Sequence, residues 1–168
     1  MDELIELAKV AAEKGGIYAS HIRDERNEIS TAINEALSIS AQANIPTLIS
    51  HLKAAEKQNW HKIPQILQQI NNFNTQHPNI QASIDVYPYT DISTKLRAFV
   101  PNYILKDGIA EIPKKLQQKE VIADIAAWIT ERSYDLSQMM VISDEFEAYY
   151  GKNISQIAKE QQLSDSQT

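Results

Sequence analysis

Two short segments of the sequence repeat the same order of side chains. Residues 20–23 read Ser-His-Ile-Arg and residues 50–53 read Ser-His-Leu-Lys, an offset of 30 residues that is about the length of one strand–helix unit. Imidazole nitrogens are common zinc ligands, so the repeat predicts that His21 and His51 bind one metal ion. A histidine at the end of a strand also commonly serves as a structural hydrogen-bonding residue, and that alternative stays open.

Charged and phenolic side chains accompany the two histidines. Arg23 and Lys53 each follow a histidine by two residues and could bind an anionic group of a substrate beside the metal. They could equally be solvated surface charges. Residues 85–90, DVYPYT, add the carboxylate of Asp85 and the phenol of Tyr87 after a third apolar segment. These groups are further candidates for the same site.

The elements that would position these residues alternate along the first half of the chain. Helical spacing of apolar residues predicts a first helix that stops at residues 15–16, and further helices over about 27–43 and 60–74. Strands are predicted at 17–20, 47–50 and 82–87, which indicates βαβ units and a parallel sheet with covering helices. Neighbouring parallel strands end at one edge about 4.8 Å apart, so His21 and His51 are expected to reach a common ion.

The pattern changes after residue 87. Residues 91–108 read as an irregular stretch, helices are predicted at about 109–118, 121–132 and 154–162, and residues 139–142 could form another strand. We expect residues 1–168 to form a single α/β domain. Residues 1–90 would supply three βα repeats, and residues 91–168 a mostly helical part and a polar tail.

Composition narrows the class of protein. The net charge is −6 and the pI is about 5.2, and the basic residues are scattered, so nucleic acid is not an expected partner. No run approaches the roughly 20 apolar residues that a membrane-spanning helix requires, and the acidic, amphipathic amino terminus is unlike a secretory signal. With no cysteine, the sequence fits a reducing compartment, and the expected protein is soluble and cytoplasmic.

Three segments resemble a known family. GGIYASHIRDE (15–25), ISHLKA (49–54) and DVYPYT (85–90) resemble the N-acyl-D-amino-acid deacylase, or D-aminoacylase, branch of the amidohydrolase superfamily. They occur in the family's order at about its spacings, and the resemblance extends over nearly the whole chain. It implies a partial (β/α)₈, TIM-like barrel with parallel strands and covering helices, in which these segments belong to the fifth, sixth and seventh strands.

The resemblance also implies a metal and a reaction. His21 and His51 would bind zinc in a hydrolase that cleaves the amide bond of N-acyl-D-amino acids to a carboxylic acid and a D-amino acid. The family's His-x-His motif, its cysteine ligand and its catalytic aspartate have no counterpart in this sequence. We therefore expect no catalytic general base in this chain, a weak or absent zinc site, and no hydrolysis by the chain alone.

The expected substrate site contains four residues. By the resemblance, Lys53 and Tyr87 hold the substrate carboxylate of an N-acyl amino acid, and Ser93 assists. Arg23 either binds the substrate as well or has a structural role beside the residues that do. A chain that supplies part of a barrel exposes strand edges, so we also expect self-association. Two alternatives stay open: a noncatalytic half-barrel binding or assembly module, and an amidohydrolase of another amide such as a dihydroorotate or hydantoin.

Overall fold

A computed structural model describes residues 1–132 and 134–168, and it divides into two compact units. The first unit is Met1–Thr90 and the second is Asp91–Thr168. The boundary falls where the predicted βα repeats end. Each unit is described by itself below.

The first unit contains three parallel strands and three α-helices. The strands pair in the order β1-β2-β3, with Ala19 of β1 opposite Leu48 of β2 and Leu48 opposite Ser83 of β3. The parallel sheet predicted from the sequence is therefore confirmed. The elements in chain order are α1 (Asp2–Glu13), β1 (Tyr18–Ser20), α2 (Ile29–Ala43), β2 (Thr47–Ile49), α3 (Ile63–Gln76) and β3 (Ala82–Ile84).

The third strand is shorter than predicted. It ends at Ile84 rather than at residue 87, although the backbone N–H of Asp85 still donates to the carbonyl of Ile49 at 3.2 Å. The chain turns away from the end of β2 at residues 50–51, so the residues that follow β3 have no neighbouring strand to pair with. The helix predicted from residue 60 also differs, since Lys57–Lys62 form a 3₁₀ turn before α3 begins.

Isoleucines of α2 and β2 form the centre of the first unit. Ile29, Ile33 and Ile49 are fully buried and belong to one apolar cluster that also includes Ile66 of α3. Each such side chain contributes about 1.5–3 kcal/mol by leaving water. The hydroxyl of Ser40, also fully buried, donates to the carbonyl of Ile45 at 2.6 Å, so this polar group has a partner inside the core. This core holds α2 and α3 against the sheet and fixes the register of its strands.

The second unit consists mainly of helices. Its α-helices are α4 (Asn102–Leu105), α5 (Ile112–Lys115), α6 (Lys119–Glu131) and α7 (Ile154–Gln161), joined by 3₁₀ turns. The predicted helix at 109–118 is broken into a 3₁₀ turn and one α-helical turn. The possible strand at 139–142 is a single antiparallel bridge between Met140 and Asn153, because residues 144–149 turn into a 3₁₀ helix. Among the described helices, none has the length and apolarity needed to cross a bilayer.

Candidate metal centre

The turn after β2 holds His51 in an unusual backbone conformation. Its φ angle is 41°, in the left-handed region that costs a residue with a Cβ atom about 1–2 kcal/mol. Asp85, directly after β3, stabilises this turn from the neighbouring segment of the same chain. Its carboxylate accepts the backbone N–H of His51, and its carbonyl accepts the N–H of Leu52 at 2.9 Å. Asp85 therefore fixes the backbone of the turn at His51, and this role does not require Asp85 to bind a metal.

The two histidines that the sequence singled out lie side by side. Nδ1 of His21 is 2.9 Å from Nε2 of His51, and the ring centroids are 4.7 Å apart. Two ligands of a tetrahedral zinc ion with bonds of about 2.0–2.1 Å are separated by about 3.3 Å. The imidazole nitrogens are thus already close to the spacing that a shared ion requires. Their adjacency follows from parallel strands ending at one edge of the sheet.

A third group, Glu25, completes the cluster. Its Oε1 atom lies 3.0 Å from Nδ1 of His51 and 3.6 Å from Nδ1 of His21. One potential ligand atom from each of these three residues lies within 4.8 Å of the others. The Oε1 atom is buried but makes no hydrogen bond of acceptable angle within the described chain. Two imidazoles and a carboxylate form a donor set that fits a divalent cation. A buried acceptor without a partner is costly, so Oε1 would gain either from such an ion or from a ring N–H turned toward it.

The loop between β1 and α2 brings Glu25 back to the sheet edge. The carboxylate of Asp24 accepts the backbone N–H groups of Arg26 at 2.7 Å and Glu28 at 3.1 Å, which folds the loop tightly. The carbonyl of Glu25 accepts the N–H of Ala55 at 2.8 Å, which ties the loop to the segment after β2. Sequence reasoning missed Glu25. The available signal was an acidic residue four positions after His21 in a loop that must start at the same edge.

Lys53 and Tyr87 lie next to the cluster. Nζ of Lys53 is 2.6 Å from Oε2 of Glu25 and 3.4 Å from Nδ1 of His51, and it lies 6.0 Å from the centroid of the Tyr87 ring. Burial raises the pKa of Tyr87, and the nearby charge of Glu25 raises it further. The phenol therefore keeps its proton at neutral pH and can donate a hydrogen bond. A cation and a neutral hydroxyl donor stand together beside the histidines.

Arg23 points toward α2. Its Nε and Nη2 atoms donate to the two carboxylate oxygens of Glu35 at 2.9 and 2.7 Å, a bidentate ion pair. The hydrogen bonds from Arg23 lower the pKa of the Glu35 carboxyl group, so this pair is intact at neutral pH. The guanidinium already has an anionic partner within the protein. Ser93, also singled out from the sequence, lies in an exposed irregular segment of the second unit.

Replacing Asp85 tests how the turn at His51 is held. We expect Asp85→Ala to lower the free energy of unfolding by about 1–2 kcal/mol, because the N–H of His51 loses a charged acceptor. Urea unfolding and amide hydrogen exchange at His51 measure the effect. Asp85→Asn keeps an acceptor oxygen and should lose less. An Asp85→Ala protein with wild-type stability and wild-type exchange at His51 would contradict the role given to Asp85.

Comparison with known sequences finds relatives over part of their length, although no family model matches the chain. The sequence is 34% identical over 94 residues to an N-acyl-D-glutamate deacylase of Alcaligenes xylosoxydans xylosoxydans. It is 33% identical over 96 residues to a D-aminoacylase of the same organism. These matches cover 56% and 57% of this chain. The chain spans 19% of the length of either curated relative.

Solved structures show the same fold. An N-acyl-D-glutamate deacylase from Bordetella bronchiseptica, complexed with zinc and a phosphonate mimic of the tetrahedral intermediate, matches with a TM-score of 0.66 at 24% identity. A D-aminoacylase structure that defines a subset of amidohydrolases matches with a TM-score of 0.64 at 24% identity. Each match covers 98% of this chain and 28% of the other. The α/β arrangement of three parallel strands and helices thus matches part of the D-aminoacylase fold.

Together the sequence matches establish distant homology to the D-aminoacylases and N-acyl-D-amino acid deacylases over part of their chains. The resemblance inferred from the three motifs is confirmed at that level. Two of the motifs, at residues 15–25 and 49–54, contain the histidines that lie side by side in the structure.

Proposed function

We propose that this chain supplies the zinc-binding histidine pair and the carboxylate-binding groups of a zinc-dependent hydrolase that acts on N-acyl-D-amino acids. The observation that carries the proposal is the imidazole pair, 2.9 Å apart, beside the buried carboxylate oxygen of Glu25. The homologous deacylases, one of them seen in complex with zinc, support the choice of metal and reaction class.

The metal would lie between His21 and His51. Nδ1 of His21 and Nε2 of His51 face each other and would both be ligands, with Glu25 next to them. Zinc held by these residues would supply Lewis-acid polarisation of an amide carbonyl and activation of water at neutral pH. Catalytic zinc normally has three protein ligands and one open position, and two histidines provide part of that set. We assign no general base among the residues of this chain.

Lys53 and Tyr87 would orient the substrate. The side chain of Lys53 is 20% exposed, so its ammonium group is accessible to a substrate. Because the side chain is mostly buried, salt screens its charge less than that of a fully exposed group. The phenol of Tyr87 stays protonated and would donate a hydrogen bond to the carboxylate of the substrate. We assign Arg23 to the support of this edge through its pair with Glu35. Ser93 stays a predicted contributor to substrate binding.

Metal binding by the chain is the first test. We expect Co²⁺ or Zn²⁺, titrated into the metal-free protein, to bind weakly, because the chain holds part of the ligand set, and we expect His21→Ala and His51→Ala each to weaken this binding by at least about tenfold. Isothermal titration calorimetry and the cobalt absorption spectrum measure this. His61→Ala is the matched control, since that histidine is exposed in the 3₁₀ turn before α3. Equal losses in all three variants, or no binding by the wild type, would refute the metal site.

Turnover by the chain alone is the second test. We expect no zinc-dependent release of D-amino acids from N-acetyl-D-amino acids, because proton transfer to the leaving amine needs a general acid or base that the cluster does not provide. A coupled D-amino-acid oxidase assay measures release. Turnover that disappears with a chelator and in the His51→Ala variant would show that the chain carries a complete active site.

Self-association is the third consequence. In the described sheet, β1 and β3 each pair with β2 alone, so both outer edges of the order β1-β2-β3 present unpaired backbone groups. Ile17 is 60% exposed and Val86 is 66% exposed, next to these edges. Light scattering after size exclusion should give masses above 19.0 kDa that rise with concentration. Ile17→Lys and Val86→Lys should reduce the association, and a wild-type monomer at high concentration would contradict it.

A further inference from the structure

We propose that Glu25 is a positioning residue that couples the two halves of this site. One of its carboxylate oxygens would orient the imidazole of His51 for metal binding, and the other holds the ammonium group of Lys53. The inference rests on the proposed function, because it presumes that His51 is a metal ligand. It adds to that function a residue that fixes both the ligand and the substrate-binding cation.

The orientation of the His51 ring is the first part of the argument. Its Nε2 atom lies 2.9 Å from Nδ1 of His21, and its Nδ1 atom lies 3.0 Å from Oε1 of Glu25. A neutral imidazole that gives Nε2 to a metal carries its proton on Nδ1. Histidines that bind metals commonly donate this second N–H to a carboxylate, which fixes the tautomer and the ring angle. Glu25 provides a carboxylate oxygen in contact with that nitrogen.

The state of Oε1 is the second part. This atom is buried, and its 3.0 Å contact with His51 does not have the angle of a hydrogen bond, so it lacks a hydrogen-bonding partner within the residues described. Turning the imidazole so that Nδ1–H points at Oε1 would give this oxygen a hydrogen-bond partner. An acceptor without a partner beside a ligand ring favours that arrangement.

The charge of Lys53 is the third part. Its ammonium group lies 3.4 Å from Nδ1 of His51 and can donate to that atom only when the ring proton is on Nε2. With the proton on Nδ1, as a ring that binds metal through Nε2 requires, the ammonium group would instead oppose the bound cation. Oε2 of Glu25 lies 2.6 Å from that ammonium group, and its negative charge offsets the repulsion. The pair also holds Lys53 near Tyr87, where the substrate carboxylate would bind. One carboxylate thus makes a metal site and a neighbouring cation compatible.

Binding of Co²⁺ by the full chain tests the proposal. We expect affinity to fall in the order wild type, Glu25→Gln, Glu25→Ala, with a loss of about 10-fold to 100-fold for alanine. Gln keeps an oxygen that can accept from Nδ1–H but lacks the charge. Lys53→Met should instead tighten binding several-fold, because it removes the opposing charge. Glu6→Gln, which removes a carboxylate of the same unit that is ion-paired with Lys9 on α1, is the matched control and should stay within twofold.

Two further measurements separate positioning from other roles. The cobalt absorption bands should keep their positions and intensities in Glu25→Gln, because the ligand atoms are unchanged. Nitrogen NMR of the metal-free chain should show His51 mainly with the proton on Nδ1, and this preference should weaken in Glu25→Ala. Circular dichroism checks that each variant is folded. If Glu25→Ala does not fold, the opposite effects of Glu25→Gln and Lys53→Met decide the question.

Several outcomes would overturn the proposal. Affinity within threefold of wild type in both Glu25 variants, with the same His51 tautomer, would show that Glu25 does not position the ring. Altered cobalt bands in Glu25→Gln would show that Glu25 is a direct ligand. Failure of the proposed function looks different, since His21→Ala would then bind Co²⁺ as wild type does. The tautomer of His51 in the metal-free chain would still decide whether Glu25 orients it.

Discussion

The in-register pairing of three short parallel strands is the constraint on which the candidate site depends. Ser20, Ile49 and Ile84 lie at one level across the sheet, so the residues that follow them leave it at a common edge. A slip of one residue would turn every side chain of a strand to the other face. The isoleucine core beneath the sheet prevents such a slip, because it accepts only one face of β2.

At that edge, three strand ends contribute different parts of one arrangement. The segment after β1 provides one imidazole and the carboxylate of Glu25, and the segment after β2 provides the second imidazole and a cation. The segment after β3 provides Asp85, which holds backbone, and Tyr87, which offers a phenol. The partly buried charges of Glu25 and Lys53 are tolerated there because the two groups lie 2.6 Å apart. The sheet thus assembles a charged cluster from residues distant in sequence.

Sequence reasoning reached the histidine pair because the same pattern occurs twice, one βα unit apart, and parallel strands end at one edge. It missed Glu25, whose approach depends on a loop conformation fixed by Asp24 and by the contact with Ala55. The partner of Arg23 was also beyond reach, since Glu35 lies on α2 and meets it only through packing. In the second unit, the possible strand at 139–142 is a single bridge, because the apolar pattern of those residues could not show that residues 144–149 turn away.

The left-handed backbone at His51 favours one type of residue for stability, whereas metal binding at the same position requires another. Glycine or asparagine would adopt this conformation at lower cost, and either would relieve the turn. Either would also remove the imidazole that faces His21. Selection for thermal stability would therefore favour glycine or asparagine at residue 51, whereas selection for a metal ligand would favour histidine. A screen for stabilised variants that ignores function would select substitutions at this position. The strain at His51 thus marks where an evolving chain that no longer needs the site would be expected to change early.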